Sequence, residues 1–499
     1  MTERRLDGLL APLGIDAPAL ALTDLALDSR EVAEGGVFLA VRGAGGHGLA
    51  HLEDALARKP AAVLWDPEGA PDAYAVLERC ERAGVAAIAV PGLGGSIGML
   101  AARFFGGPGR RLRLVGVTGT DGKTSTTQFV AAALDRAGHP WASIGTLGWG
   151  RPGALRETRH TTPDVVGLQR RLAALVDDGV EGVAMEVSSH ALDQDRTQGL
   201  DFEVAVLTNL SRDHLDYHGS DAAYAAAKAR LFLDTEPAAA VLNLDDAFGR
   251  DMAARTGAAV IGYSLADAPG ARIRARGVHA GDEGLAFTLD IDGDAVDVAV
   301  PVFGLFNVAN LLATAGVLLA LGEPAGSIAA TLAACRPVPG RMQALGGGDR
   351  PLVIVDYAHT PAALEAALAA SRQHCAGALW CVFGCGGDRD TGKRAPMGRA
   401  AAGLADHVIL TSDNPRGEPP ESIIDAIRAG LPAPDAARAI PDRGEAIRTA
   451  VAGAHAGDVV LVAGKGHEAY QIVGDEVRAF SDREAVEAAL AAGEGPWSR

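Results

Sequence analysis

Short apolar runs alternate with amphipathic stretches along most of the chain. In the first part the runs are "GGVFLAVRG" (35–43), "AAVLWD" (61–66) and "AAIAV" (86–90). The Gly-rich "PGLGGSIG" (91–98) then breaks the pattern. A middle block carries "GVAMEVSS", "VAVLTNLS", "AAVLN" and "AAVIGYS", with helical patterns between them, as at 221–233. Strand–helix alternation of this kind predicts a parallel α/β sheet. Residues 272–300 differ, because they alternate around Asp and Gly, and "DIDGDAVDVAV" predicts a hairpin turning at Asp292–Gly293. A helix is expected over about 306–321. From 339 the runs "LVIVDY", "ALWCVFG", "DHVILTSD" and "DVVLVAG" alternate with helical patterns near 361–373, 420–430 and 443–454, which predicts a second open α/β sheet. Three domains follow: 1–91, 92–338 and 339–499. Open sheets of this type bind ligands beyond the carboxyl ends of their strands. "DYAHTP", "GCGGDRD", "SDNPR" and "GKGHE" all come just after a strand run.

Composition narrows the class. The 499 residues are 48% hydrophobic, enough for several cores, and Gly reaches 63, so tight turns and backbone-lined sites are expected. No apolar stretch is long enough for a transmembrane helix, and the N-terminus lacks a secretory signal pattern. The five cysteines are too scattered for a disulfide framework, and Cys381 and Cys385 read as buried thiols at a strand end. A cytoplasmic protein is expected. The net charge of −18 argues against a nucleic-acid partner, yet it leaves room for anionic small ligands held by local amides and cations.

The strongest chemical signal is "GVTGTDGKTST" (116–126), between an apolar run and a helical one. Its glycines admit close backbone approach, and the loop amides and helix N-terminus attract phosphate. Lys123 can reach β/γ oxygens, and Thr124 can hold Mg²⁺. Val117 occupies the position where the common phosphate-loop pattern has its first Gly, so the loop reads Gly119-Thr120-Asp121-Gly122-Lys123-Thr124-Ser125. ATP binding is the reading of these residues. Other signals are weaker alone. Glu186 ends an apolar strand, where an unpaired carboxylate is costly. Lys228 reads by itself as a surface lysine on a helix, Asn307 as a helix cap, and Thr161 and Thr162 as caps of the helix after "RHTTPD". Arg416 in "SDNPR" has no local reason, since a turn needs no planar cation.

The "GTDGKT" loop resembles that of the Mur ligase family. Further motifs carry the resemblance: "DSR" (28–30), "TTP" (161–163), "MEVSSHAL" (185–192), "TNLSRDHLDYHG" (208–219), "YAAAKARLF" (224–232), "FNVAN" (306–310), "PGRM" (339–342), "DYAHTP" (356–361), "GGDRDTGKR" (386–394), "DNPR" (413–416) and "GKGHE" (464–468). The resemblance implies an N-terminal UDP-binding α/β domain, a central P-loop-type parallel-sheet ATPase domain and a C-terminal Rossmann-like open-sheet domain. It implies an ATP- and Mg²⁺-dependent amide ligase that works through an acyl phosphate in peptidoglycan precursor synthesis. Glu186, His214, Thr124 and Lys228 would ligate metal, Lys228 as a carbamate. The carbamate requires a neutral amine and hence a depressed pKa. Asn307, Arg341 and Asp356 would join the loop in binding ATP. Leu27, Ser29, the turn Ala44–Gly45–Gly46, His160, Thr161, Thr162, Ser188, Gln194 and Arg196 would bind UDP-N-acetylmuramoyl-L-alanyl-D-glutamate.

The amine is then the open question, and Arg416 bears on it. Lysine and meso-2,6-diaminopimelate differ by one carboxylate, which a guanidinium pairs bidentately. The "DNPR" form resembles that of diaminopimelate-adding members. On this resemblance Arg389, Asp413, Asn414, Pro415, Arg416, Gly464 and Glu468 form the amine site. A lysine-adding ligase, a folylpolyglutamate synthase-like enzyme and a P-loop NTPase switch are the alternatives. A monomer is expected.

Overall fold

Apolar positions at period two put alternate side chains on opposite faces of a strand, and burial on both faces marks a strand inside a parallel sheet. The computed structural model, which describes residues 4–43, 46–70, 72–158, 160–281, 283–433 and 436–493, realises this in each expected run. The chain divides into two units, the first ending at Ile261 and the second starting at Gly262, inside the strand Ala259–Ser264.

In the first unit, Leu25–Ala26, Val37–Ala40, Ala62–Trp65 and Ala86–Ala89 form a parallel four-stranded sheet in that order. Val37, Leu39 and Leu64 pack on Leu93, Ile97 and Phe104 of the helix Leu93–Phe104, while Phe38, Val63 and Trp65 face Leu52, Val76 and Cys80. The same unit holds a larger parallel array in the order Ala239–Asn243, Val204–Leu207, Arg113–Thr118, Gly182–Glu186 and Trp141–Gly145, with Gly148–Gly150 antiparallel at its edge. Arg113–Thr118 therefore has a neighbour on each side, and the three central strands deliver the 119 loop, Glu186 and Thr208 to one end. The helix Asp221–Leu233 forms as expected, capped by Ser220 Oγ.

In the second unit, Ile273–Gly281, Gly284–Ile291 and Asp294–Val300 are antiparallel, and Ile291 pairs with Asp294 across the two-residue turn at Asp292–Gly293. Phe306–Ala320 is helical. A six-stranded sheet follows in the order Gln343–Gly346, Leu352–Asp356, Val459–Ala463, Leu379–Phe383, His407–Leu410 and Arg438–Ala439, parallel except at its first strand. The helices Pro361–Arg372, Pro420–Arg428 and Arg443–Gly453 flank it. The protein is thus a multi-domain α/β protein with parallel sheets. Cys381 and Cys385 are buried thiols, and desolvation pushes Cys385 up to about 12. Among the described residues no helix is long and apolar enough to cross a membrane.

Three local expectations are corrected. The helix Val165–Asp177 is capped by Asp164, whose Oδ1 accepts from Val166 N and Gly167 N, so Thr161 and Thr162 are not its caps. Asn307 lies inside its helix, after the N-cap Leu305, and does not cap it. Lys228 is 1% exposed and is no surface lysine. A small antiparallel hairpin, Tyr470–Val473 with Glu476–Ala479, was not anticipated, and none of its side chains is buried.

Candidate active site

The phosphate loop leaves the central strand Arg113–Thr118 and enters the helix Lys123–Arg136. Gly119 has φ +146°, and a Cβ there would collide with Thr208 Oγ1, so only glycine fits. The next strand end pins the loop. Thr208 Oγ1 donates to Asp121 O at 2.6 Å, Thr120 N to Asn209 O at 2.9 Å, and Asp121 N to Asn209 Oδ1 at 3.0 Å. Tyr224 OH meets Thr120 Oγ1 at 3.1 Å, and burial pushes its phenol up to about 12.

Two lysines converge on this loop. Lys123 Nζ donates to Gly119 O and Thr120 O at 2.9 and 2.8 Å, and Lys228 Nζ donates to Gly119 O at 2.7 Å. Burial first, and then the Lys123 charge, drive the Lys228 pKa well below that of an ordinary lysine. Carbamylation by CO₂ requires a neutral amine, and the lowered pKa of Lys228 lies in that direction.

Glu186 is 1% exposed at the end of its strand, with both oxygens occupied. Oε1 accepts from Thr146 N at 2.7 Å, and Oε2 accepts from Thr124 Oγ1 at 3.0 Å and Thr146 Oγ1 at 3.2 Å. A carboxylate and a hydroxyl side by side at the phosphate loop are hard oxygen donors of the kind Mg²⁺ takes. His214 stands apart from this pair. It adopts a left-handed conformation at φ +52°, its Nε2 lies 3.4 Å from Asp213 Oδ2, and its ring packs on His190. No hydrogen bond joins His214 or Lys228 to Glu186. Among the described residues no group of three or more His, Cys, Asp or Glu gathers to hold a metal.

Among the acceptor-site expectations, Thr162, Ser188, Arg196 and Gln194 are linked by hydrogen bonds. Thr162 Oγ1 donates to Glu186 O at 2.8 Å and accepts from Ser188 N at 3.2 Å. Arg196 donates to Thr162 O at 2.8 Å and, through Nε and Nη2, to Gln194 Oε1. Thr161 Oγ1 meets Thr146 Oγ1 at 3.1 Å. Ser29 is buried in a short helical turn capped by Asp28, Leu27 is half-buried, Gly46 has φ +127°, and His160 is exposed. Ala44 and Gly45 lie outside the described residues.

In the second unit, Asn307 and Asn310 are buried and linked, with Asn307 Nδ2 donating to Phe303 O and Asn310 Nδ2 to Asn307 Oδ1. Arg341 stacks on the Tyr357 ring at 4.7 Å. Asp356 accepts from Met342 N and Ala358 N, and desolvation raises its carboxyl against those two amides and Arg341.

The clusters 386–389, 413–418 and 464–468 meet beyond the carboxyl ends of three adjacent parallel strands. Arg416 adopts φ +50°, donates Nη1 to Gly387 O at 2.9 Å, and pairs its backbone with the hairpin, Arg416 N to Ile472 O and Gly474 N to Arg416 O. A Cβ on Gly386 would lie 3.0 Å from Arg416 Nη1 and 3.8 Å from Arg389 Cγ, so the two arginines flank one glycine. Arg389 is exposed. Pro415 O would clash with a Cβ on Gly387, and Gly464 at φ +118° would bring a Cβ within 2.7 Å of Asp413 Oδ2. Asn414 Nδ2 donates to Glu468 Oε2 at 3.0 Å.

Several residues that hold this geometry escaped sequence reasoning. Thr208, Asn209 and Thr146 support the phosphate loop and Glu186; polar residues closing apolar strand runs were the available signal. Arg443 and Asp482 form a fully buried pair at 2.6 Å, and Arg443 also donates to Ser412 O and Ala463 O, tying two strand ends together. Lys465 is fully buried against Asn414 and Glu468. Nothing local in the sequence marks Arg443, because its partners lie 20 to 39 residues away.

Comparison with known proteins identifies the family of the chain. The model for the Mur ligase middle domain matches residues 117–318, and that for the Mur ligase glutamate ligase domain matches 340–466. The chain is 54% identical over 492 residues to the UDP-N-acetylmuramoyl-L-alanyl-D-glutamate–2,6-diaminopimelate ligase of Alkalilimnicola ehrlichii, covering 96% of this chain and 98% of the relative. The protein of the same name from Pseudomonas aeruginosa is 50% identical over 481 residues, with 96% of each covered. A solved structure of a UDP-N-acetylmuramoyl-L-alanyl-D-glutamate–2,6-diaminopimelate ligase superposes with a TM-score of 0.71 at 35% identity, over 99% of each chain.

Proposed function

Because this chain belongs to the Mur ligase family, we propose that it is an ATP-dependent ligase joining meso-2,6-diaminopimelate to UDP-N-acetylmuramoyl-L-alanyl-D-glutamate. The γ-carboxylate of D-Glu attacks the γ-phosphorus of ATP, giving an acyl phosphate and ADP. The amine of diaminopimelate then attacks the acyl carbon, loses a proton, and expels phosphate as the amide forms. No protein side chain becomes covalently attached.

The loop amides of 119–125 and Lys123 bind the triphosphate, with Lys123 leaving its two carbonyl partners for phosphate oxygens. Thr124 and Glu186 would hold Mg²⁺, joined by His214 and by Lys228 as a carbamate; the ion supplies charge neutralisation for the phosphates. An unmodified Lys228 in the magnesium- and nucleotide-loaded enzyme, seen by density or by mass, would remove the carbamate. Asn307, Arg341 and Asp356 are assigned to ATP binding as well. Leu27, Ser29, Ala44, Gly45, Gly46, His160, Thr161, Thr162, Ser188, Gln194 and Arg196 bind the acceptor. The domain limits 1–91, 92–338 and 339–499 assign acceptor, ATP and amine in turn. The protein works as a cytoplasmic monomer.

The observation that carries the choice of amine is the pair Arg389 and Arg416 on either side of Gly386. A diacid gives that pair a carboxylate; lysine leaves the donors without one, and polar sites built this way discriminate strongly. The test is product mass after incubation with ATP, Mg²⁺, the UDP-dipeptide and either amine. Tripeptide product with diaminopimelate and little with L-lysine is expected. Equal use of the two, or ATP hydrolysis without amide, would sink the reading.

A further inference from the structure

Lys465 was no part of the expected amine site, and yet it touches two of that site's side chains. Its side chain is fully buried, so it is not a solvated loop cation. Nζ donates to Asn414 Oδ1 at 3.1 Å and to Glu468 Oε2 at 3.0 Å, and it lies 5.4 Å from the centre of the Tyr470 ring. An ammonium has three protons and no acceptor, so these contacts fix which atoms of its neighbours must accept.

The consequences follow atom by atom. Asn414 Oδ1 accepts from Lys465 Nζ and from Ile472 N at 3.0 Å, which uses both lone pairs of that oxygen. The amide cannot flip without putting its NH₂ against two donors. Its nitrogen must therefore face Glu468, and one Nδ2 hydrogen goes to Glu468 Oε2 at 3.0 Å. Glu468 Oε2 is then shared by Lys465 and Asn414, while Oε1 has no protein donor among the described residues. Two groups are left over: one carboxylate oxygen, which can take an ammonium, and one amide N–H, which can give to a carboxylate. That is the complement of one amino-acid zwitterion. Its polarity is set from beneath by Lys465, whose charge also balances Glu468.

We propose that Lys465 is a positioning residue for amine selection, holding Glu468 and Asn414 so that the pocket offers one acceptor and one donor to the ammonium and carboxylate of the incoming amino acid. This rests on the amine-site reading of the 413–416 and 464–468 loops. Without Lys465, Asn414 Oδ1 keeps Ile472 N as its one donor and Glu468 stands as an unbalanced charge, so the acceptor–donor pair is less firmly set.

The experiment is steady-state kinetics of the full chain as wild type, Lys465→Met, Glu468→Gln and the double variant, varying diaminopimelate, ATP and UDP-dipeptide in turn. In Lys465→Met the KM for diaminopimelate is expected to rise at least tenfold, with the other two KM values within about twofold of wild type. Added to Glu468→Gln, Lys465→Met should raise the diaminopimelate KM by clearly less than it does in wild type, because much of its effect runs through Glu468. The double variant removes both charges of the pair, so it keeps the comparison available if Lys465→Met alone fails to fold. An unchanged diaminopimelate KM in Lys465→Met overturns the proposal. So does an equal rise in all three KM values, or a further tenfold rise when the substitution is added to Glu468→Gln. Wild type that makes no amide with diaminopimelate overturns the functional reading, and this inference with it.

Discussion

The phosphate loop at 119–125 and the amine loops at 386–389 and 413–418 both follow strand ends, but they present different chemistry. In the first, backbone amides are the proposed binding groups, and a left-handed position is a glycine, Gly119. In the second, side chains are the proposed binding groups and backbone carbonyls hold them, as Gly387 O does for Arg416. There the left-handed positions include Asp388 and Arg416, which are not glycines. A backbone site has to be written locally, in glycines next to a helix start. A side-chain site can be held by ties from anywhere in the fold. The first is therefore readable as a motif, and the second is readable only by resemblance.

The sharpest way to break this contrast is Gly119→Ala. The added methyl would strike Thr208 Oγ1 and sit 3.1 Å from Asn209 N, on a backbone that L residues avoid. Ligase turnover should fall by more than about 10³-fold, as for loss of a preorganised anion site, with nucleotide binding lost in calorimetry. Near-normal nucleotide affinity would show that the loop amides are not the binding groups.

Arg416→Ala comes next. Loss of one charge-assisted carboxylate contact should lower kcat/KM for diaminopimelate by about 10–100-fold, and leave KM for ATP and the UDP-dipeptide within about twofold. Unchanged kinetics with diaminopimelate would take Arg416 out of the site.

The third test asks whether distant ties hold the amine loops. Arg443 and Asp482 are both fully buried, and Arg443 joins the chain after His407–Leu410 to the end of Val459–Ala463. Arg443→Met strands the Asp482 charge and should cost about 3–5 kcal/mol in unfolding free energy, while Arg443→Met with Asp482→Leu should recover most of it. Chemical denaturation of both variants measures this. A double variant as unstable as the single one would mean that the carbonyl contacts, not charge balance, set the stability.

The strands, the central helices and the hairpin turn at Asp292–Gly293 were legible because each depends on period, run length and turn chemistry within a few residues. Glu186 was legible because a carboxylate at the end of an apolar strand demands a partner. Its partner Thr146 was not, since a threonine after a strand is ordinary in sequence and gains meaning only when it reaches across to Glu186. The caps went wrong at Thr161 and Thr162 because several capping residues stand together before Val165, and hydrogen-bond geometry, not propensity, selected Asp164. Lys228 reads as a surface lysine by helix pattern alone; only the packing of Tyr224 and the Gly119 carbonyl reveals a buried amine. The hairpin 470–479 carries too few buried apolar side chains to register, though its backbone fixes Arg416.

The smallest effect tests the outer tie between the amine loops. Arg394 holds both oxygens of Glu418 at 2.9 and 2.8 Å, and Asp388 N donates to Oε1 at 2.7 Å. The guanidinium first, and then that amide, bring the Glu418 carboxyl down to about 2. A folded-state pKa below the unfolded one means the tie stabilises fully above the ordinary carboxylate range, and that its contribution fades as pH falls toward about 2. Hydrogen–deuterium exchange in segment 386–394 should therefore be slower in wild type than in Glu418→Gln at pH 6. The two rates should converge as pH is lowered below the ordinary glutamate value toward about 2. Rates that stay apart to the lowest pH would mean the tie is steric, and the register of the amine loops would then rest on their other contacts, such as Arg416 Nη1 on Gly387 O and Gly417 N on Asp388 Oδ2.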